Sequence, residues 1–305
     1  MSMSAERVAE DASAGGPADD ARVPGRWSGV LHELLRTRRV LIGAGLLAAL
    51  TLAAWVGPLL SPWDITETDL LARREPPSAD HWFGTDSIGR DIFTQTMIGL
   101  QKSIIIGLCA AILTTAVAAV VGAFAGYFLG ATDRVLMWIT DLMLVLPNFL
   151  VLAILYPALR DQGWPLFVIL LAALAWMVTA KMVRGMTISL KEREYVLAAR
   201  YMGVPDHKII FRHIIPNMSS LLIVDATINV SAAIIAETSL SYFGFGVQRP
   251  DVSLGSLIAA GSTQSLAFPW TFWFCTGLLV VLVMAVNLIG DGLRDALDPQ
   301  SKRRS

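Results

Sequence analysis

The chain has 305 residues, 54% of them hydrophobic and 16% charged, and its mean hydropathy is +0.58. Because a soluble globular domain carries about a quarter charged residues, this composition excludes an ordinary soluble protein. The formal net charge of −1 gives no support for nucleic-acid binding. The sequence instead predicts an all-α polytopic membrane protein. A membrane barrel is excluded, because its segments of alternating polarity are missing from the sequence.

Residues 1–39 precede the first long apolar run. The first 26 are rich in alanine, glycine and acidic residues and contain few apolar ones, which predicts a disordered tail. The long polar lead and the length of the apolar run that follows argue against a cleaved signal peptide. We therefore expect 1–39 to be a cytoplasmic segment with a basic end, and 40–60 to be an uncleaved transmembrane anchor.

Six apolar runs are long enough to cross a bilayer as helices, since about twenty apolar residues span the ~30 Å hydrocarbon core. Several runs contain glycine or proline, which membrane helices tolerate when neighbouring groups satisfy the freed backbone. The sequence therefore predicts six transmembrane helices. They are Val40–Leu60, Ile104–Leu129, Val135–Tyr156, Pro165–Val183, Leu221–Gly244 and Trp270–Ile289.

Lysine and arginine are distributed unevenly over the segments between these runs. With the N-terminus inside the cell, 18 of the 24 fall in inner segments and six in outer segments. Cytoplasmic segments carry the excess of lysine and arginine in membrane proteins. We therefore expect both termini, including the basic tail at 299–305, and the polar segment at 184–217 to lie in the cytoplasm. Five or seven spans would place the basic tail outside.

The longest outer segment, 61–102, carries seven acidic residues. Its mixture of aromatic and polar residues predicts a partly ordered cap with an interfacial helix at Asp91–Leu100. Another outer segment, 246–269, contains an apolar piece at Leu254–Ala260 that is too short to span and suits a re-entrant or interfacial helix. The acidic side chains of the first segment favour contact with a partner outside the cell.

Four ionisable residues lie in or near the predicted spans: Asp141, Lys181, Asp225 and Glu237. Such groups are costly in lipid. Asp141 is expected near the inner surface, and Lys181 can extend its amine to that surface. Glu237 lies deepest, and two roles stay open for it. It can belong to a pathway or gate, or it can make a helix–helix hydrogen bond that fixes packing.

The polar segment 184–217 has an internal helical pattern. Val196, Ala199 and Met202 recur at helical spacing, and the chain then turns at 203–206, which reads Gly-Val-Pro-Asp. Apolar residues between 209 and 215 predict a second short amphipathic helix. A helix–turn–helix that projects from one side of a membrane protein favours a docking surface. A loop that lies on the membrane surface without a partner is the alternative.

No catalytic constellation is visible in the sequence. The dipeptide Gly-Lys does not occur, so the phosphate-binding loop of nucleotide hydrolases is missing. The four histidines show no metal-ligand spacing, and Cys109 and Cys275 both lie in apolar runs as core residues. We expect no catalytic residue, no metal and no cofactor in this chain. Energy for transport would then come from an ion gradient or from a partner ATPase.

Four motifs, in order along 76–299, resemble those of ABC-importer permeases of the dipeptide, oligopeptide and nickel branch. The cytoplasmic loop of that family has the pattern Glu-Ala-Ala, then Gly, then Ile-x-Leu-Pro. Here Leu197 stands in place of the Glu, His213 in place of the first Ile, and Ile215 in place of Leu. The matching positions are Ala198, Ala199, Gly203, Ile215 and Pro216.

The other three motifs flank predicted spans. They are HWFGTDSIGRD at 81–91, ETSLSYFGFG at 237–246 and NLIGDGLRDALDP at 287–299. One departure is Leu254, in a Ser-Leu-Gly sequence at 253–255 where this branch has Ser-Trp-Gly. Together with the cytoplasmic loop these motifs span 76–299, and each stands at a sensible topological position.

This resemblance implies a six-span subunit with a type I importer core at 103–298. It would form the path for di- or oligopeptides together with a second, homologous permease. The other implied partners are two cytoplasmic ATPase subunits, which would bind ATP and Mg²⁺, and an extracytoplasmic solute-binding protein. The implied location is the bacterial inner membrane.

The loop would couple the chain to the ATPase. Small residues let a partner approach the backbone, and a Gly and a Pro set the turn. The candidate coupling residues are Glu194, Ala198, Ala199, Arg200, Gly203, Pro205, Asp206, Ile215 and Pro216. Polarity alone proposes the residues of the translocation path, which are Asn148, Asp225, Asn229, Ser231 and Glu237.

Three alternatives stay open at this point. The same fold could import nickel or another small solute. A stand-alone secondary carrier would use an ion gradient, and would be expected to show more intramembrane carboxylates than this chain has. A membrane scaffold would transport nothing.

Overall fold

The computed structural model describes residues 37–159 and 162–297. Regular structure within these ranges is helical, with one isolated bridge between Thr85 and Asp91. The expectations for 1–36 and for the basic tail lie outside the described residues. The helices are α1 (Arg38–Leu60), α2 (Ile92–Phe128), α3 (Gly130–Val145), α4 (Asn148–Leu159), α5 (Trp164–Ala173), α6 (Met177–Leu190), α7 (Glu194–Tyr201), α8 (Asp206–Ile209), α9 (Ile215–Asn217), α10 (Ser219–Tyr242), α11 (Leu254–Ser262) and α12 (Trp270–Leu297), with a π-helical turn (Ile210–Ile214) between α8 and α9.

Four helices, α1, α2, α10 and α12, are long and apolar enough to cross a membrane unbroken. Two pairs pass the same test only together, because each pair is bent: α3 with α4 by 81°, and α5 with α6 by 48°. The six predicted runs are therefore found as four continuous helices and two bent pairs, which makes six spans if each pair crosses once. The runs predicted as single spans at 135–156 and 165–183 are both interrupted.

The two interruptions lie side by side. At the first, Pro147 disfavours the helical conformation of Leu146, whose ψ is 130°. The second, at 174–176, contains no proline. The side-chain amide of Asn148 donates a hydrogen bond to the Leu174 carbonyl at 2.6 Å. One break thus supplies a donor for the backbone that the other break leaves unpaired.

Helix α2 is continuous over 37 residues, about 55 Å at 1.5 Å per residue. Asp91–Leu100 is predicted as an interfacial helix apart from a span that starts at Ile104. These residues instead form the N-cap and first turns of α2, so the helix begins inside the segment assigned to the outer loop. Asp91 starts it, because its Oδ2 accepts the Thr94 backbone N–H at 2.7 Å.

Residues 61–90, here called the cap segment, form an ordered layer against the start of α2. His81 is only 2% exposed, and its Nδ1 lies 3.1 Å from Oδ1 of Asp91. The Trp63 ring stacks on the His81 ring with centroids 4.5 Å apart. The predicted ordered cap is present, and its order comes from this buried contact with the helix N-cap.

Several acidic side chains of the cap segment bind its own backbone. Asp69 and Asp86 each accept the backbone N–H two residues later at 2.9 Å, which is an Asx turn. Hydrogen bonds from the backbone N–H and then the hydroxyl of Thr66 lower the pKa of the exposed Asp64 carboxyl. Part of the acidic charge therefore serves local turns.

The most extensive helix packing joins α2 to α6. It depends on two glycines of α2. A Cβ on Gly122 would overlap the carbonyl oxygen of Ala180, and a Cβ on Gly126 would lie 2.6 Å from the carbonyl oxygen of Arg184. Small residues allow such close backbone approach between membrane helices. The contact leaves no room for a larger residue at either position.

Replacement of Gly122 by valine should separate α2 from α6. We expect the free energy of unfolding to fall by about 1–3 kcal/mol, because the added carbons meet backbone atoms that cannot move aside. Thermal unfolding of the purified protein in mild detergent measures this. Gly185→Ala is the matched control, since a Cβ there meets no atom within 4 Å. Equal melting temperatures for the two variants would contradict the packing described.

Candidate functional site

Residues 191–218, here called the helical loop, connect α6 to α10. Helix α7 ends at a Schellman motif, in which the Gly203 N–H donates to the Arg200 carbonyl at 3.0 Å and the Val204 N–H to the Ala199 carbonyl at 3.1 Å. The φ of Gly203 is +76°, a conformation that favours glycine. The predicted helix–turn–helix is thus present, and the predicted turn has a defined geometry.

The helical loop is seated on the membrane helices. One apolar cluster joins α7, α8 and the π-helical turn of the loop to α2 and α6, so the loop and these helices form a single packed unit. Ala199 belongs to this cluster and is only 2% exposed. It is therefore not available to a partner surface, and the expectation that it helps a partner approach is corrected. The buried members are Ala123, Val183, Val196, Ala199, Ile209, Ile210, Ile214 and Met218.

Most of the other candidate coupling residues face away from this cluster. Ile215 is half-buried, because it follows the buried turn of the π-helix. A Cβ on Gly203 would meet no atom within 4 Å, so the turn is open to the surroundings. The exposed candidates are Glu194, Ala198, Arg200, Gly203, Pro205, Asp206 and Pro216.

Two large side chains stand at the tip of the loop, and neither is among the predicted coupling residues. Tyr201 is 89% exposed and Met202 is 76% exposed. Met202 continues the helical spacing of Val196 and Ala199, which are both buried, but it lies past the last helical residue of α7, where the chain turns away. The only sequence signal was the position of both residues directly before the turn at Gly203.

Polar contacts hold the helical loop on α2 and hold α3 on α6. The Tyr127 hydroxyl, at the end of α2, donates to Oδ1 of Asp206 at 2.6 Å. Asp206 opens α8, so this bond ties the second half of the loop to α2. Arg184 of α6 binds Asp133 of α3 through two parallel hydrogen bonds of 2.5 and 2.6 Å.

Two of the path candidates meet in one polar cluster. Asp225 and Asn229 stand one turn apart on α10, and the Asn229 amide donates to Oδ2 of Asp225 at 2.8 Å. The Thr179 hydroxyl of α6 lies 3.0 Å from both carboxylate oxygens, and the Thr115 hydroxyl of α2 lies 3.4 Å from one of them. Thr115 and Thr179 are absent from the predicted path set, since the sequence does not show that their hydroxyls lie near Asp225.

Glu237 lies apart from that cluster and is fully buried. Its Oε1 accepts hydrogen bonds from the Ser241 hydroxyl at 2.6 Å and the Ser253 hydroxyl at 2.5 Å. Ser253 is the N-cap of α11, and a Cβ on Gly255 would lie 3.0 Å from Oε2 of Glu237. Of the two roles left open for Glu237, this geometry fits the packing one, because the carboxylate anchors the start of α11.

The short helix α11 covers the piece predicted as re-entrant or interfacial, and its nine residues are too few to span. The remaining path candidates stand alone. Asn148 is exposed, and its amide donates to the Leu174 carbonyl at the break between α5 and α6. Ser231 is 4% exposed, and its hydroxyl has no hydrogen-bond partner among the described residues.

Asp141 and Lys181 pair with each other across α3 and α6 at 2.5 Å. The sequence does not predict this pair, because residues forty positions apart give no sign of contact. Both side chains stay about half exposed, 60% for Asp141 and 46% for Lys181. Within 37–159 and 162–297, no group of three or more metal-ligating side chains is found.

The fold is that of a polytopic helical membrane protein with a rigid helical loop on one side. Residues 118–303 match the family described as the inner membrane component of binding-protein-dependent transport systems. Residues 25–77 match the N-terminal transmembrane domain of oligopeptide transport permease C. The chain therefore belongs to the family of binding-protein-dependent transport system inner membrane components.

Curated relatives extend this similarity over nearly the whole chain. The oligopeptide transport system permease protein OppC of Mycobacterium tuberculosis is 49% identical over 274 residues, which cover 90% of this chain and 94% of the relative. The protein of the same name from Bacillus subtilis is 35% identical over 277 residues, covering 91% and 90%.

Replacement of Ser253 by alanine should loosen α11. The change removes the N-cap and one of the two donors to Glu237, so we expect a loss of about 1–3 kcal/mol in stability. Protease protection of the 246–269 segment and thermal unfolding measure the effect. Ser262→Ala is the control, because that hydroxyl only binds a carbonyl of its own helix. Identical protection in both variants would rule out the anchoring role.

Proposed function

We propose that this chain is a permease subunit of an ATP-driven importer that carries di- or oligopeptides across a bacterial inner membrane. The names of the relatives and the match of residues 25–77 support the peptide substrate. The geometry of the helical loop supports the coupling. It is a compact element with a buried apolar seat and an exposed tip, as a partner-driven subunit needs.

ATP and Mg²⁺ belong, in this proposal, to two cytoplasmic ATPase subunits. Their movement reaches the permease through the helical loop. Tyr201 and Met202 supply apolar contact area, and Arg200 beside them can pair with acidic groups of the ATPase. Because the base of the loop packs on α2 and α6, a push on the tip moves these spans as a rigid body.

The other partners are a second, homologous permease and an extracytoplasmic solute-binding protein. The excess of lysine and arginine in 184–217 and near both termini supports a cytoplasmic location for these segments. The cap segment is then outside, where the binding protein arrives. Leu71, 97% exposed, and acidic groups not engaged in turns form the surface offered there.

The translocation path runs between the two permeases. Asp225 and Asn229 are its best-supported members, because they form one polar cluster among apolar helices. Asn148, exposed at the break between α3 and α4, is the third. Ser231 and Glu237 are enclosed by protein in this conformation, so we leave them out of the proposed path.

Substitution of aspartate for both Tyr201 and Met202 should abolish ATPase docking. The buried seat is untouched, so the variant should insert and fold. We expect the amount of ATPase subunit that co-purifies to fall at least about tenfold, as for the loss of central interface residues. Leu71→Asp, the same type of change on the opposite side, is the control. Normal co-purification with the loop variant would show that the tip is not the docking surface.

The turn at Gly203 offers a second test of the loop. Valine there must adopt a positive φ, at a cost of roughly 1–2 kcal/mol, although space is available for its side chain. Asparagine accepts the same conformation more easily. Peptide uptake should fall in Gly203→Val and be retained in Gly203→Asn. Equal uptake by both would mean that the geometry of the turn is unimportant.

The function itself is tested with the complete complex in proteoliposomes. Peptide uptake should require ATP and the loaded binding protein, and an ion gradient alone should not replace ATP. Nickel uptake without peptide uptake would assign the substrate to the alternative class. Uptake by the purified chain alone, driven by an ion gradient, would instead identify a secondary carrier.

A further inference from the structure

A cavity of about 580 Å³ lies between α6, α10 and the end of α12. This volume is within the range of about 300–1,000 Å³ found for small-ligand sites. The cavity combines sulfur-containing, apolar and charged side chains. The lining residues that matter here are Met182, Met186, Met218, Asp225, Ile228 and Arg294.

Asp225 brings negative charge to this cavity from within a membrane helix. Thr115, Thr179 and Asn229 donate hydrogen bonds to its carboxylate, and no ion pair with Asp225 is found among the described residues. A carboxylate has about four acceptor positions. It can therefore accept a further donor from the cavity, and a cationic donor would neutralise a charge that is costly in the membrane.

Three methionines line the cavity, and two of them supply adaptable walls. Met182 and Met186 stand one turn apart on α6, 40% and 36% exposed, whereas Met218 is fully buried in the apolar cluster of the helical loop. Unbranched, polarisable methionine side chains can repack around ligands of different shape, and they recur on surfaces that accept many partners. Such walls suit a ligand class with one constant feature and variable side chains.

The opposite face of α10 lines a second cavity, and the two differ in chemistry. This second cavity, about 630 Å³ between α1, α2, α10 and α12, contains no charged side chain in its lining. Ile223 and Thr227 face it, whereas Asp225 and Ile228 face the methionine-lined cavity. The second cavity is suited to lipid chains, and the methionine-lined cavity is suited to a ligand that carries both charge and apolar groups.

We propose that the methionine-lined cavity holds the peptide in transit. Asp225 accepts the peptide's α-ammonium group, and Met182 and Met186 pack against its variable side chains. Arg294 provides a positive charge for a peptide carboxylate. The inference rests on the proposed peptide importer, and it adds a contact site for substrate within the permease itself.

The test compares two tripeptides that differ only at the amino terminus, trialanine and N-acetyl-trialanine. Uptake is measured in proteoliposomes with the complete complex and with binding protein saturated with either peptide. Asp225→Asn should slow uptake of trialanine about tenfold, the order of effect for a lost enclosed charge contact. Uptake of the acetylated peptide should not change. Asp291→Asn, at an exposed site on α12, is the matched control.

Two results would overturn the proposal. Equal slowing of both peptides by Asp225→Asn would show that the carboxylate only supports the structure. No slowing of either peptide would show that it makes no contact with substrate. ATP-dependent uptake of trialanine by the unaltered complex tests the proposed function independently, so a failure of one is not confused with a failure of the other.

A labelling experiment keeps the proposal testable if Asp225→Asn does not fold. Cysteine is placed at Ile228 or, as the control, at Ile223, in a chain whose Cys109 and Cys275 are alanine. Both isoleucines are exposed on α10, at 49% and 39%, but they face different cavities. A charged, water-soluble thiol reagent should label Ile228→Cys alone in the assembled complex.

Transported trialanine should slow the labelling of Ile228→Cys during ATP turnover. Labelling at neither position would mean that the second permease or a lipid fills the cavity, which contradicts the proposal. Labelling that trialanine does not slow would contradict it equally, since the cavity would then be open to water but not visited by peptide.

Discussion

The close contact between α2 and α6, at two glycines of α2, sets the geometry on which the rest of the molecule depends. Because Gly122 and Gly126 lack a Cβ, α2 lies directly on the backbone of α6. Ala123 and Val183, at this contact, form the floor on which the helical loop packs. The close approach of two membrane helices therefore determines where the loop sits, and a wider spacing would leave its buried isoleucines without a surface.

The same helix pair also positions the polar cluster. Thr115 is about two turns from Gly122 along α2, and Thr179 is next to the α6 residue that Gly122 touches. Their hydroxyls meet only because the helices are close, and together they hold Asp225 of α10. A displacement of α2 against α6 would therefore disturb the helical loop and the Asp225 carboxylate together, because both depend on this helix pair.

The sequence predicts the parts of this structure that depend on local pattern. Apolar runs predict the spans, and glycine with proline predicts the turn of the helical loop. The missed features need contacts between distant residues. Ala198 and Ala199 are alike in sequence, yet only Ala199 faces the α2–α6 floor. The break at 174–176 contains no proline and is held by Asn148 from another helix. The sequence leaves a path role and a packing role open for Glu237, and the hydrogen bond from the distant Ser253 favours the packing role.

The length of α2 has a mechanical consequence. At about 55 Å it exceeds the ~30 Å hydrocarbon core, and no proline interrupts it. At one end His81 of the cap segment contacts Asp91, and at the other end Tyr127 binds Asp206. A straight helix that tilts about a point in the middle of the membrane moves its two ends in opposite directions. If α2 tilts in this way, the cap segment and the helical loop therefore move in opposite directions.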